Sequence, residues 1–125
     1  STAYYALFRS LSQEAADLFV GRSAAVRGND AWCRVARALN HGLAKQACER
    51  VVKDTSWSVD ARTIANTFVQ LQAQRLSADY DPNSRYTRAQ AIALVREADD
   101  AVDRLATMPA TERRAFLVFL LFPGR

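Results

Sequence analysis

The chain has 125 residues, of which 50% are hydrophobic and 24% charged, and its formal net charge is +4. This length suits one domain, and the apolar fraction is enough for a core that needs no disulfide or metal. No apolar run approaches the ~20 residues that a membrane-spanning helix needs, so the composition excludes an integral membrane protein. We therefore expect residues 1–125 to form a single helical domain that does not enter a membrane.

The positive charge comes almost entirely from arginine, since 15 of the 17 cationic residues are arginines. The planar guanidinium suits bidentate contact with phosphate or carboxylate groups. Because there are also 13 acidic residues, two interpretations stay open. The cations form either a mixed, solvated surface or a basic patch that binds an anionic partner.

The cysteines and the single histidine do not form a metal-binding pattern. Cys33 and Cys48 are 15 positions apart, and His41 is the only histidine. This spacing is not that of a zinc site, so we expect free, buried thiols and neither a metal nor a cofactor. Free thiols and the lack of a recognisable signal peptide favour a reducing, cytoplasmic setting.

Helical periodicity runs through almost every long stretch, and no stretch alternates like a strand. The chain begins without methionine and is helical almost at once, which suggests processing or a first helix truncated upstream. Short connections between long amphipathic helices favour antiparallel neighbours. The sequence therefore predicts an all-α, up-and-down bundle of four or five helices, with helical stretches at Thr2–Val20, Asp30–Val52, Val59–Asp79, Thr87–Leu105 and Thr111–Phe122.

Capping and turn residues mark the ends of these helices. Asp30 is a candidate cap for the second helix, and residues 40–42 (Asn-His-Gly) are a candidate kink or break within it. Residues 81–84 (Asp-Pro-Asn-Ser) predict a turn. Thr87, with Gln90 three residues later, has the pattern of a capping box.

Two apolar patterns near the C-terminus predict further burial. The stretch Thr87–Leu105 carries a stripe that we expect to face the core, formed by Ala91, Ile92, Val95, Ala98, Val102 and Leu105. The last helix is apolar nearly all round after Arg114. A helix of that kind is either buried or in contact with a partner, so it is a candidate surface for dimerisation.

Arg75 lies on the apolar stripe of the helix around residues 59–79, in line with Phe68 and Leu71. A charge on a core-facing side needs partners, and Asp79 follows one turn later on the same face. Tyr5 lies at the flank of the first helix's stripe, where its hydroxyl is within reach of that pair. Two interpretations stay open: a structural ion pair, or an arginine held at the mouth of a cleft to bind phosphate.

Two segments resemble the HEPN-domain family. Residues 1–8 (Ser-Thr-Ala-Tyr-Tyr-Ala-Leu-Phe) are similar to its S-x-A-Y-Y-A-x-F signature, and residues 75–81 (Arg-Leu-Ser-Ala-Asp-Tyr-Asp) resemble its R-x-x-A-D-Y-D segment. The helix from Thr87 to Leu105 is similar to the one that follows in the family. The resemblance covers most of the chain in order.

The resemblance implies a helical bundle, often dimeric, that binds RNA or nucleotides. Many members are metal-independent ribonucleases of toxin–antitoxin or defence systems, with histidine as acid or base in an R-x4–6-H motif. Here Tyr80 stands where that histidine is expected, and a phenol with a pKa near ~10 is a poor base at neutral pH. We therefore expect ligand binding through Arg75, Asp79, Tyr80 and Tyr5, with weak or no ribonuclease activity. The implied partners are a second copy and a cognate antitoxin or nucleotidyltransferase-like protein.

Two alternatives remain open. Arg34 and His41 are seven residues apart and share a face if their helix is continuous, which makes them candidate catalytic residues of an active ribonuclease. The other alternative is a non-catalytic module that dimerises through its apolar C-terminal helix.

Overall fold

A computed structural model describes residues 2–80 and 87–124 of the chain, and of residues 76–80 it describes the backbone. Within that part every regular element is a helix, which confirms the all-α prediction. There is one helix more than the four or five expected. In chain order the helices are α1 (Thr2–Phe19), α2 (Asp30–Ala38), α3 (His41–Lys53), α4 (Val59–Tyr80), α5 (Arg88–Thr107) and α6 (Ala110–Leu121).

Helix α1 is the centre of the bundle, because it packs against α2, α4, α5 and α6. Its inner face carries Tyr4, Leu7, Leu11 and Ala15, which are fully buried. The helix ends at Phe19. Two residues later Gly21 adopts a φ of 137°, a backbone conformation that side chains with a Cβ rarely take up.

The predicted second helix is two helices, because the backbone is extended at Leu39 and Asn40. The Asn40 side chain accepts a hydrogen bond from the Leu43 N–H and so starts α3 at His41. At the start of α2 the cap is Asn29, whose side chain accepts from the Trp32 N–H. The prediction that Asp30 is the cap was wrong, since Asp30 is the first helical residue.

Helix α3 packs along α4, and small side chains line the buried surface of both helices. Small residues let helix axes approach closely. The fully buried set is Ala44, Ala47, Cys48, Ala61 and Ala65. The prediction of free thiols is confirmed. Cys48 is buried, as expected, and burial raises the pKa of its thiol. Cys33 is only half-buried, and its thiol donates to the Gly28 carbonyl.

Helix α5 begins with the predicted capping box between Thr87 and Gln90. The prediction for its apolar stripe holds only in the second half, where Ala98 and Leu105 are buried. Ile92 and Val95 are 42% and 45% exposed. At 3.6 residues per turn they lie roughly 150° and 90° around the helix from its buried face, which explains their exposure. That buried face is formed by Leu94, Ala98, Ala101 and Leu105, with Leu94 only partly buried.

Helix α6 closes the core, as its apolar sequence predicts. It packs against α1 and α3, and Phe116, Leu117 and Leu120 are buried. Trp57, from the loop before α4, contacts the Phe116 ring edge-on, with 6.1 Å between ring centroids. Arg113 donates to carbonyls at the C-terminal end of α5, which ties α6 to the helix before it.

Candidate functional site

Side chains from three helices form a cluster at the end of the bundle where α1 begins. Helix α1 contributes two tyrosines and a phenylalanine, α3 contributes a histidine at its first residue, and α4 contributes a phenylalanine, an amide and an arginine. We call this set the aromatic–arginine cluster; its members are Tyr4, Tyr5, Phe8, His41, Phe68, Gln72 and Arg75.

Local helix geometry explains most of this placement. Tyr4 and Phe8 are one turn apart on α1 and therefore share a face. Phe68 and Arg75 are two turns apart on α4 and face the same way. His41 joins them because the Asn40 cap starts α3 at that residue, so the imidazole projects from the first turn of the helix. The Phe68 ring is fully buried beneath Tyr4, with 5.3 Å between ring centroids.

Arg75 is held by neutral groups. Its Nη1 donates to the Tyr5 hydroxyl at 2.8 Å, so the expected contact between these residues is present. The guanidinium carbon lies 5.0 Å from the centre of the Tyr4 ring and 5.5 Å from that of Tyr5. Both distances are typical of cation–π contacts.

The same arginine retains unused hydrogen-bonding capacity. Its Nε is buried and has no hydrogen-bond partner in the described part of the chain. One turn earlier on α4, the buried Oε1 of Gln72 also lacks a partner there. Buried polar atoms are normally paired, so these two atoms are the groups of the cluster that can still bind a ligand or a water molecule. No carboxylate whose side chain is described forms an ion pair with Arg75.

His41 is the second polar centre of the cluster. Its Nδ1 lies 2.5 Å from the Tyr4 hydroxyl, and its ring stacks on Phe8 with 3.8 Å between centroids. Gln72 donates to the His41 backbone carbonyl at 3.3 Å, which links α4 to the start of α3. Burial, helped by the positive charge of Arg75, lowers the pKa of His41 below its usual value.

The protonation states follow from these surroundings. Burial raises the pKa of the Tyr4 hydroxyl, so the phenol keeps its proton at neutral pH. The lowered pKa of His41 leaves its imidazole uncharged there. In the tautomer with the proton on Nε2, Tyr4 donates to Nδ1 and the Nε2–H is a hydrogen-bond donor. Arg75 and His41 together can then present a charge and a neutral donor to an anion.

The candidate residues from the sequence fall into three groups. Arg75 and Tyr5 are together in the cluster, and His41 is beside them although the sequence pairs it with Arg34. Arg34 is on α2, where it lines a shallow groove of about 630 Å³ with Arg37. The helix break at residues 39–40 removes the continuous face that this pairing needs. The side chains of Asp79 and Tyr80, and the turn predicted at residues 81–84, lie outside what the structure describes.

Nothing in the sequence predicts the contacts of His41 with Tyr4 and Phe8. The only available signals were that Tyr4 and Phe8 share one face of α1 and that Asn40 is a good helix cap. Neither signal relates residues that are 37 positions apart, as Tyr4 and His41 are. The half-exposed Tyr5 also borders an open groove of about 890 Å³ between α1 and α5.

Comparison with known proteins gives no relative of this chain: no family model, curated protein or solved structure matches it. Among residues 2–80 and 87–124, no three His, Cys, Asp or Glu side chains are placed to hold a metal ion together. No helix in that part of the chain combines the length and apolarity needed to cross a membrane.

Proposed function

We propose that the chain is a HEPN-like domain that binds RNA or a nucleotide through its phosphate groups, with weak or no ribonuclease activity. We also propose that the chain forms a homodimer and belongs to a toxin–antitoxin or defence module. Its partner protein there is a cognate antitoxin or a nucleotidyltransferase-like protein. The environment of Arg75 is the observation that carries the binding proposal. Its guanidinium contacts two tyrosine rings beside His41. Its buried Nε has no hydrogen-bond partner in the described part of the chain.

The chemistry of the cluster supports phosphate as the ligand. A guanidinium binds phosphate oxygens in a bidentate fashion, and its affinity is greatest when no protein carboxylate already neutralises it. The Tyr5 hydroxyl occupies one donor of Arg75 and so fixes the orientation of the remaining ones. The Tyr5 ring is 48% exposed, which leaves an aromatic surface on which a base can stack.

The surroundings of His41 support binding over cleavage. Ribonuclease chemistry without a metal needs one group that accepts a proton and another that donates one. In the tautomer with the proton on Nε2, the Nδ1 lone pair of His41 already accepts the Tyr4 hydroxyl. The lowered pKa of His41 also makes its charged, acidic form scarce at neutral pH. Tyr80, at the motif's histidine position, is a poor base.

One observation favours the alternative of an active ribonuclease. His41 and Arg75 both contact Tyr4, so a histidine and an arginine meet although they are on different helices. If Tyr4 accepts from an Nδ1–H, then Nε2 is free to act as the base while Arg75 neutralises the phosphate. The pair proposed for this activity is therefore His41 with Arg75, in place of His41 with Arg34.

The binding proposal is tested by titrating the protein into a fluorescent single-stranded RNA at several salt concentrations. Replacing Arg75 by alanine is expected to weaken binding about tenfold or more, because a charged hydrogen bond to phosphate is lost. The slope of affinity against salt should also become shallower. RNA binding that is unchanged in Arg75→Ala contradicts the proposal.

Arg114→Ala is the matched control, since it removes the same charge at the opposite end of the bundle. Arg114 is an exposed residue of α6, and the first turns of α6 border Trp57 and Ser58 at the start of α4. Arg75 lies sixteen residues after Val59, about 24 Å further along the same helix. We expect Arg114→Ala to bind RNA within about twofold of the unmodified protein.

The catalytic question is decided by incubating the protein with RNA in a chelator. The proposal expects little or no cleavage. Robust cleavage that disappears in His41→Ala and Arg75→Ala would establish the active ribonuclease. Cleavage lost only in Tyr80→Phe would assign the chemistry to the motif segment. Cleavage unaffected by any of the three variants points to a contaminating nuclease.

A further inference from the structure

The exposed face of α5 carries an apolar pair between two opposite charges. Arg88, Ile92, Val95 and Asp99 succeed each other at spacings of four, three and four residues, which places them on one side of the helix. All four side chains are exposed, and a surface groove of about 360 Å³ runs along Ile92 and Val95. We call this set the α5 face.

The charged residues at the two ends of the α5 face have no ion-pair partner within the described chain. No described side chain forms an ion pair with Arg88 or with Asp99. Arg88 is the first residue of α5, where the helix dipole disfavours a cation. The acidic residues of α5 all lie from its tenth residue onwards: Glu97, Asp99, Asp100 and Asp103. Apart from Arg104 in the last turn, this charge distribution is the reverse of the one that stabilises an isolated helix.

We propose that the α5 face pairs in antiparallel orientation with the α5 face of a second copy of this chain. A two-fold axis passing between residues 93 and 94 brings Ile92 against the second copy's Val95. The same axis brings Arg88 against the second copy's Asp99, and the reciprocal contacts follow by symmetry. The two helix dipoles then run antiparallel, and each Arg88 gains an anion, which no described side chain of its own chain supplies. Parallel pairing would instead oppose like charges, so the charge pattern selects the antiparallel arrangement.

The neighbouring surface extends this interface beyond one helix. Stable dimers bury about 1,200–2,000 Å² in total, more than one short helical face supplies. Asp99 also lines the groove between α1 and α5, together with Ala6, Arg9 and Val102. That groove adjoins the α5 face and brings α1 into the contact. Helix α6, the alternative predicted from the sequence, has Phe116, Leu117 and Leu120 buried in the bundle's own core. Its exposed large apolar side chains are Val118 and, at its C-cap, Phe122.

Sedimentation equilibrium of the purified chain, measured over a wide concentration range without RNA, tests this proposal. We expect a reversible dimer. Asp99→Arg and Arg88→Asp should each raise the dissociation constant about tenfold or more, because like charges then meet across the axis twice. The double variant Arg88→Asp/Asp99→Arg restores the opposite pairing and should dimerise within about threefold of the unmodified chain.

Glu97→Arg is the matched control for Asp99→Arg, because it makes the same charge change on the opposite side of α5 and should leave the dimer intact. Circular dichroism checks that each variant keeps its helices. A monomer at every concentration overturns the proposal, as does a double variant no better than the singles. The proposal is also overturned if Phe122→Ser disrupts the dimer while the Arg88 and Asp99 variants have no effect, because the interface then lies elsewhere. The interface rests on the homodimer of the proposed function. Because the experiment contains no RNA, its failure can be told apart from a failure of RNA binding through Arg75.

Discussion

Two arginines near opposite ends of α4 show how differently the same side chain is used in this molecule. Arg104, on α5, lies beside the start of α4 and donates to Asp60 and Asp100, both at 2.8 Å. These two carboxylates raise the pKa of Arg104. Arg75, near the end of α4, is surrounded by two phenol rings and a hydroxyl, with no ion pair to any described carboxylate.

The difference separates a structural charge from one available to a ligand. Arg104 satisfies its charge inside the molecule and thereby links α5 to the start of α4. Arg75 is oriented by neutral groups, and no carboxylate among the described side chains neutralises its charge. A guanidinium that is positioned and yet not neutralised is arranged for an external anion, because the protein has already fixed its orientation.

The largest expected effects come from two buried phenylalanines: Phe68, beneath Tyr4 in the aromatic–arginine cluster, and Phe116 of α6, beside Trp57 before the start of α4. Phe68 and Phe116 are both fully buried, so replacing either by alanine should lower the free energy of unfolding by about 3–5 kcal/mol. Urea unfolding measures this loss. Only Phe68→Ala should also weaken RNA binding, because its ring supports Tyr4. If both variants weakened RNA binding equally, the end of α4 near Arg75 would have no special role in binding.

Replacing each of the two arginines by alanine, one at a time, should give the next largest effects. Arg75→Ala should weaken RNA binding about tenfold, since its phosphate contact is lost. Arg104→Ala should lower the urea midpoint through the loss of its contacts with Asp60 and Asp100, and leave RNA affinity unchanged. Binding titrations and unfolding curves on the same preparations separate the roles. An Arg104→Ala protein that loses RNA binding would show that the comparison is mistaken.

A smaller effect is expected from removing one hydroxyl. Tyr4→Phe leaves Nδ1 of His41 without its partner and should lower the free energy of unfolding by about 1 kcal/mol. Tyr5→Phe is the control for stability: the Tyr5 side chain is half-exposed, so the change should stay within about 0.5 kcal/mol. Equal loss in both variants would indicate that the Tyr4–His41 contact contributes nothing specific.

The smallest effect concerns pH. The pKa of His41 is lowered in the folded chain, so below about pH 6.5 the unfolded chain binds more protons and unfolding becomes easier. Stability is therefore complete above that pH and falls as the pH drops towards the folded pKa. RNA affinity should change in the opposite direction, rising about two- to threefold, because protonated His41 adds a charge beside Arg75. In His41→Asn, both stability and RNA affinity should depend less on pH. A pH dependence that persists in this variant would come from another titrating group.

The sequence determined the features that depend on neighbours within a turn or two. The extent of α1 and the capping box at Thr87 follow from periodicity and capping, which act between residues three or four apart. The burial of α6 follows from its apolar sequence after Arg114. Arg75 was identified for the same reason, because its spacing from Phe68 and Leu71 places it on the inner face of its helix.

Only the tertiary structure decided how these helices meet. The stripe predicted for α5 combined residues of its buried face with residues of its exposed face. The packing of α5 against α1 and α4 leaves Ile92 and Val95 exposed. The contacts that bring His41 to Tyr4 and Phe8 join residues more than thirty positions apart. Local spacing carries no information about such pairs, since they form only when separate helices bury their apolar faces together. The sequence therefore identified Arg75, whereas packing determined that its histidine neighbour comes from α3.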